Sequence, residues 1–212
     1  MDEITFKRNE LLAQDLIKNL ESRHFEAYYC ANKEEALKKA LEIINEGSSI
    51  TWGGATSAAQ IGLFDALKNG NYEVIDRNLA KTPEERSAMM AKAFSCDYFI
   101  MGANAIAEEG ILVNIDGIGN RLAALCFGPK NVIVIAGLNK VAGNLKSAVD
   151  RAKRIASPIN AARFELKTPC KQTGTCHLCK SEDCICNQIL ITRNSKPVGR
   201  IKVILVNEVL GF

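Results

Sequence analysis

The chain lacks a long apolar run and a block of one charge, and it is poor in histidine. Its longest apolar stretches, such as "NVIVIAGL", are too short to cross a bilayer. The N-terminal "MDEITFKRNELLAQ" has no positive segment followed by an apolar one, so no secretory leader is expected. No Lys/Arg cluster alternates with aromatics, and a net charge of +3 with mixed signs predicts no nucleic-acid partner. The only histidines, His24 and His177, are too far apart in sequence to suggest a catalytic pair. The sequence has no nucleophile elbow, Ser/His/Asp order, Walker A loop or GxGxxG fingerprint. It also has no internal repeat, low-complexity tract or long linker. Together these absences predict a cytoplasmic protein without a membrane or nucleic-acid partner.

What remains is an ordinary globular composition. With 212 residues, 47% hydrophobic and 24% charged, the chain fits one α/β domain and can bury a substantial core. Leu12, Leu16 and Leu20 predict an amphipathic helix over residues 4–21. Asn32 followed by Glu35 reads as a capping box opening a second helix, which Gly47 ends. "SSITW", "YEVID", "DYFIMG", "GILVNID" and "NVIVIAG" read as strands, and "AAQIGLFDALKNG" as a helix. Thr82-Pro83-Glu84-Glu85 is a strong helix start. A basic helix over 144–157 is expected to stop before Pro158, and "NQILITR" with "RIKVILVNE" to form a closing strand pair. Strands alternating with helices of roughly 10–15 residues predict an α/β fold, a largely parallel open sheet flanked by helices. The whole chain, 1–212, reads as a single domain, and the cysteine-rich residues 168–187 are a small appendage within it.

Three segments carry candidate chemistry. In "SITWGGATSAAQIG" a strand runs into Gly53-Gly54, and Thr56 and Ser57 open a helix. Glycines let backbone N–H groups approach a ligand, and a helix start favours an anion, so a phosphate- or carboxylate-bearing small molecule would suit this turn. A plain capped turn would look the same. The second segment, "MGANAIAEEGILVNIDGIGNRLAAL", concentrates Asn104, Glu108, Glu109, Asn114, Asp116, Asn120 and Arg121 next to a buried strand. Ligands of open α/β sheets bind beyond the carboxyl ends of strands, so Asn104, Asn114 and Arg121 are candidate ligand-binding residues. Glu108 and Asp116 are candidate catalytic carboxylates, against the plainer reading of Glu108 and Glu109 as solvated loop acids.

The third segment is "TPCKQTGTCHLCKSEDCICN", which holds five of the eight cysteines. Lasting disulfides are not expected in a reducing compartment. Cys170, Cys176, Cys179, Cys184 and Cys186 instead read as thiolate ligands for zinc or an iron–sulfur cluster, with redox or idle thiols as the alternative. Cys30, Cys96 and Cys126, in apolar surroundings, read as small core residues.

Taken together, "ANAIAEEGILVNIDGIGNRLAALCFGPKNVIVIAGLNKVAGNL", "RAKRIASPINAARF" and the cysteine segment resemble the lactate-utilisation (LUD) domain family, in its LutC/YkgG group. The resemblance runs from about residue 4 to the end. It is most specific at Ala107–Gly110 and Pro158–Arg163, and the cysteine tail is similar to that of short, single-domain members. It implies a CoA-transferase/ribose-phosphate-isomerase-like α/β sheet. It also implies an accessory or electron-transfer role in lactate or related 2-hydroxy-acid utilisation, beside iron–sulfur oxidoreductase subunits, and allows a homo-oligomer. In fold relatives the strand–Gly–Ser/Thr–helix turn binds phosphate or CoA, which matches Gly53, Gly54, Thr56 and Ser57. "GANAIAEEGILVNIDGIG" is also similar to the active-site stretch of methylthioribose-phosphate isomerases. The acid of that pattern falls on Asn104 here, and Asn cannot act as a base, which speaks against that mechanism. The family's cysteine pattern falls on Cys170, Cys176, Cys179 and Cys186, implying four ligands with Cys184 an extra. Two other functions fit the same residues. One is a stand-alone enzyme acting on a phosphorylated sugar or CoA ester, and the other is a metabolite- or redox-sensing module.

Overall fold

The computed structural model describes residues 2–212. Helix α1 (Glu3–Ser22) starts where the Asp2 carboxylate accepts a hydrogen bond from the Thr5 N–H, and its Ala13, Leu16 and Leu20 face the core. There follow β1 (Glu26–Cys30), α2 (Lys33–Ile43), β2 (Ser49–Trp52), α3 (Thr56–Gln60), α4 (Leu63–Asn69), β3 (Glu73–Ile75) and α5 (Pro83–Lys92). The middle of the chain forms β4 (Tyr98–Gly102), β5 (Ala105–Ala107), β6 (Ile111–Asp116), α6 (Asn120–Phe127), β7 (Asn131–Gly137) and β8 (Val141–Ala142). The last part holds α7 (Leu145–Arg151), α8 (Ser157–Ala161), α9 (Pro169–Thr173), β9 (Gln188–Thr192) and β10 (Ile201–Val206).

Six strands form one sheet in the order β1-β10-β7-β4-β2-β3, and every neighbouring pair is parallel. Strands β4, β7 and β10 are buried almost throughout, as expected of a parallel sheet covered on both faces. Helices α1 and α6 pack on one face around Leu16, Leu20, Met101 and Leu125. Helices α2 and α4 cover the other around Ala36, Ala40, Ile100 and Leu67. A smaller sheet, β8-β5-β6-β9, leaves the carboxyl end of β4 and packs α7 against Val113 and Ile115. The fold class is therefore the expected one, and no helix among the described residues is long and apolar enough to cross a membrane.

Several local expectations are corrected. The helix expected over "AAQIGLFDALKNG" is two short helices, because Gly62 takes a left-handed conformation (φ +78°) between α3 and α4. Helix α2 ends at Ile43, before Gly47. The basic helix does not stop at Pro158: residues 152–156 widen into a π-helical turn, and α8 continues through the proline. A widened turn tolerates the missing proline N–H. Strands β9 and β10 do not pair with each other. Half-exposed β9 lies antiparallel to β6 in the small sheet, and the largely buried β10 runs parallel between β1 and β7. Cys30 and Cys96 are buried, but Cys126 is exposed on α6.

Candidate functional site

The carboxyl ends of β2, β4 and β7 open into a cleft of about 590 Å³. Gly53 and Gly54 leave β2, Gly102, Ala103 and Asn104 leave β4, and Lys140 follows β7. The opposite wall comes from Asp116, Gly117 and Arg121, and from Arg163 and Phe164 after α8. Arg77 and Arg86 close a further side. Five cationic side chains thus line the cleft, against the single carboxylate of Asp116.

Arg121 organises this region. Its guanidinium donates to the carbonyls of Gly102 (3.4 Å) and Ile115 and to Asn104 Oδ1 (3.1 Å), with Asp116 Oδ2 3.7 Å away. Asp116 also accepts from the Arg121 backbone N–H at 3.1 Å, fixing the start of α6. Burial lowers the Arg121 pKa, and Asp116 works against that shift. The same physics lowers the pKa of Arg77, burial first and the neighbouring Arg86 second. Both remain cations, because a guanidinium keeps its proton in proteins.

The two glycines of the expected anion turn have different roles. A side chain at Gly53 would begin 2.8 Å from Arg121 Cδ and Cγ, so this residue is the space through which the Arg121 stem passes. Nothing lies within 4 Å of the corresponding position at Gly54. Neither has a left-handed backbone. Helix α3, only five residues long, offers little macrodipole, so the positive potential comes from side chains rather than from the helix start.

Sequence reasoning missed Lys140, as it did Arg77 and Arg86. Lys140 is 4% exposed, yet no carboxylate among the described residues lies within ion-pair reach. Its Nζ donates to Ser57 Oγ at 3.0 Å, and Ser57 in turn donates to the Leu210 carbonyl at 3.3 Å. Burial, reinforced by Arg151 and Arg121, pulls the Lys140 pKa down to about 7. The rule that strand carboxyl ends carry ligand sites would have pointed to it, since "NVIVIAGLNK" leads straight into it. Arg163 was also missed, although it closes the run Pro158–Arg163; its Nη1 lies 3.4 Å from Thr56 Oγ1. Its guanidinium sits over the rings of Phe164 and Phe212, at 5.6 and 5.5 Å from their centroids.

Of the residues singled out from the sequence, Gly53, Gly54, Thr56, Asn104, Asp116 and Arg121 line the cleft, and Ser57 lies just behind it. Asn104 holds Arg121 and the Ile115 N–H rather than acting as an acid or base. Asn114 and Glu108 are not among the lining residues. Asn114 is fully buried on β6, and no hydrogen-bond partner for its amide occurs among the described residues. Glu108 belongs to the β5–β6 turn that docks on the end of α1, where Asn19 Nδ2 donates to the Glu108 carbonyl at 2.7 Å. The neighbouring Glu109 caps the Leu145 N–H at 2.7 Å.

All five cysteines of residues 168–187 line one small cavity of about 80 Å³, together with His177 and Pro158. Ile115 and Ile185 line this cavity and the large cleft alike, so Ile185, flanked by Cys184 and Cys186, forms a shared wall. The segment is also tied to the cleft's edge: Asn187 N–H donates to the Asp116 carbonyl at 2.9 Å and Asn187 Nδ2 to the Gly117 carbonyl at 3.1 Å. Burial pushes the Cys186 thiol up to about 11 and raises Cys184 too, so as free thiols both keep their protons. Among the described residues no three His, Cys, Asp or Glu side chains are arranged to hold an ion. The soft donors and their common cavity suit a thiophilic metal, which would have to displace protons and draw the loop inward.

The family model described as the LUD domain matches residues 13–206. No curated protein matches the chain. Among solved structures it is similar to a DUF162 family protein from Deinococcus radiodurans. The identity is 13% and the TM-score 0.53, over 93% of this chain and 98% of that one, a likeness of fold alone. It is also similar to eIF2B beta from Chaetomium thermophilum (18% identity, TM-score 0.38, 54% of this chain and 44% of that one). A third match is 5-methylthioribose 1-phosphate isomerase from Pyrococcus horikoshii (17% identity, TM-score 0.34, 74% of this chain and 50% of that one).

Proposed function

The chain belongs to the LUD domain family, and from that premise we propose that its strand-end cleft binds a small anionic metabolite of lactate or related 2-hydroxy-acid utilisation. Family membership supports a role associated with lactate utilisation. The observation that carries the ligand class is the charge imbalance of the cleft: Arg77, Arg86, Arg121, Lys140 and Arg163 against Asp116 alone. Such an enclosed cationic surface favours a carboxylate or phosphate.

In this reading the protein is an accessory or electron-transfer component that works beside iron–sulfur oxidoreductase subunits. Cys170, Cys176, Cys179 and Cys186 would hold zinc or an iron–sulfur cluster, with Cys184 as an extra donor. An iron–sulfur cluster would supply one-electron chemistry, and zinc would supply cross-linking of the loop alone. The wall shared through Ile185 supports the pairing of metal site and ligand site.

The test is thermal unfolding with L-lactate, pyruvate, sugar phosphates and CoA esters, because a ligand of the native state raises apparent stability. Lactate or pyruvate should raise the midpoint, and Arg163→Gln should reduce the rise. No rise with any anion, or an undiminished rise in the variant, refutes the reading. Iron, sulfide and zinc measured together on anaerobically purified protein decide the metal, and the absence of all three removes that part. A cleft of about 590 Å³ with Trp52, Phe64 and Phe164 in its lining is larger than lactate needs, which favours a second reading. That reading is a stand-alone enzyme for a phosphorylated sugar or CoA ester, marked by a rise with those ligands alone.

A further inference from the structure

Lys140 is built unlike a structural lysine. Buried lysines are ordinarily paired with a carboxylate, because an isolated ammonium away from water is costly. Lys140 has only a serine hydroxyl, and the charged groups that act on it, Arg151 and Arg121, are cations. It nevertheless faces the cleft. A side chain at Gly102 would begin 3.7 Å from Nζ and one at Gly211 2.9 Å from it, so both glycines leave room for the amine. Thr56 and Ser57, adjacent in sequence, touch Arg163 and Lys140 respectively. A ligand of the cleft therefore has both cations in its lining. Desolvation and neighbouring cations are the two means by which proteins keep a lysine amine free to act as a nucleophile.

We propose that Lys140 is the reacting amine of the cleft, condensing with the carbonyl carbon of a small 2-oxo acid whose carboxylate is held by Arg163. The proposal rests on the anion-cleft reading given above. The Nζ lone pair forms the C–N bond as the carbonyl π pair moves onto oxygen. The two N–H protons pass to that oxygen, with the Ser57 hydroxyl placed to relay them, and it leaves as water as C=N closes. One water is released for each imine, and no oxidant or reductant takes part. An imine to a 2-oxo acid stabilises a carbanion at C3, so the chemistry gained is loss of a carboxylate carried on C3, aldol cleavage or proton exchange at C3. This makes Lys140 a catalytic residue rather than a mere anion anchor.

The test is reductive trapping of the full-length protein. The protein is incubated with pyruvate, reduced with borohydride, and the adduct located by peptide mass spectrometry. At neutral pH an ordinary surface lysine is well under 1% unprotonated, so Lys140 should react on the order of a hundred-fold more than any surface lysine. Arg163→Gln should lower its yield at limiting pyruvate, and L-lactate, which has no ketone carbonyl, should give none. Lys140→Met keeps the apolar stem and should fold; it should leave only background labelling while Arg77 and Arg86 still confer some anion-induced thermal shift. If pyruvate raises the midpoint but the adduct is absent or spread over surface lysines, the reacting-amine assignment falls and the anion cleft stands. If pyruvate neither shifts nor labels the protein, the reacting-amine assignment falls, and the anion cleft falls with it when no other anion raises the midpoint.

Discussion

The floor of the cleft hangs on the ends of β2, β4 and β7, strands buried to their last residues. The cysteine segment has no strand of its own, and its one helix, α9, runs five residues from Pro169 to a left-handed Gly174. Arg121 is pinned by three oxygens and a nearby carboxylate before any ligand arrives. The five thiols share a cavity, but no three converge on an ion position. One region is preorganised by the sheet, and on the proposed metal reading the other would take its final form from what it binds. Insults to the first should therefore register as lost stability and lost ligand together, and insults to the second as lost metal alone.

The largest effect is expected for Arg121→Met. It strips donors from Asn104 and from the Gly102 and Ile115 carbonyls and leaves Asp116 without its partner. Breaking a largely buried ion pair from one side costs about 3–5 kcal/mol. Denaturant titration should show that loss, thermal shift should show no anion binding, and metal content per folded chain should be unchanged. A variant that kept its anion response would break the contrast between the two regions.

Lys140→Met comes next and has the opposite sign. Because burial holds the folded-state pKa near 7, below the ordinary value of 10.5, the unfolded chain binds more protons between those values. Below about pH 7 the lysine is charged in both states and the whole burial penalty is present. The penalty fades as pH rises toward 10.5. The variant should therefore exceed the parent by a few kcal/mol at pH 6, and the gap should close at alkaline pH. A gap independent of pH would mean that Ser57, Arg121 and Arg151 do not act on a titrating amine.

Gly53→Ala should cost about 1–3 kcal/mol by forcing the Arg121 stem aside, and should weaken anion binding with it. Gly54→Ala, with open space around it, is the matched control and should change ligand binding little. This pair also measures how far the sequence could be read. "WGGATS" marks a strand running into a turn at a ligand site, and both glycines look equivalent there. Their difference arises from Arg121, 68 residues later in the numbering and brought alongside only in the folded chain. The parallel sheet itself was legible because strand patterns such as those of β2, β4 and β7 alternate with helical ones. The partner of β10 was not, because hydrophobic pattern shows burial and not which edge a strand joins. Lys140 stayed hidden for a related reason: a lysine after a strand is usually solvated, and only the tertiary fold removes its water.

Cys176→Ser tests the other side of the comparison. Cys176 is half-buried in a loop outside the main cores, so stability of the metal-free protein should move by less than about 1 kcal/mol. Bound metal should be lost from purified protein, and residues 168–187 should become more open to proteolysis. Cys184→Ser should retain metal, separating four donors from five. Unchanged metal in Cys176→Ser would remove the ligand assignment and leave the cavity as packing.

The smallest effect is expected for Glu108→Gln. The sequence places Glu108 beside a strand end, as it does Asp116, and the two carboxylates look like equal candidates for acid/base work. The structure separates them. Asp116 ends β6 at the cleft and holds Arg121, whereas Glu108 sits at the far end of the same hairpin, where its backbone carbonyl, not its carboxylate, receives Asn19. Replacing the carboxylate by an amide leaves that contact in place, so stability should stay within about 0.5 kcal/mol. The anion-induced thermal shift and the Lys140 adduct should likewise match the parent. A clear loss of either would show that the β5–β6 turn reaches the ligand, and would move the site from the strand ends toward the small sheet.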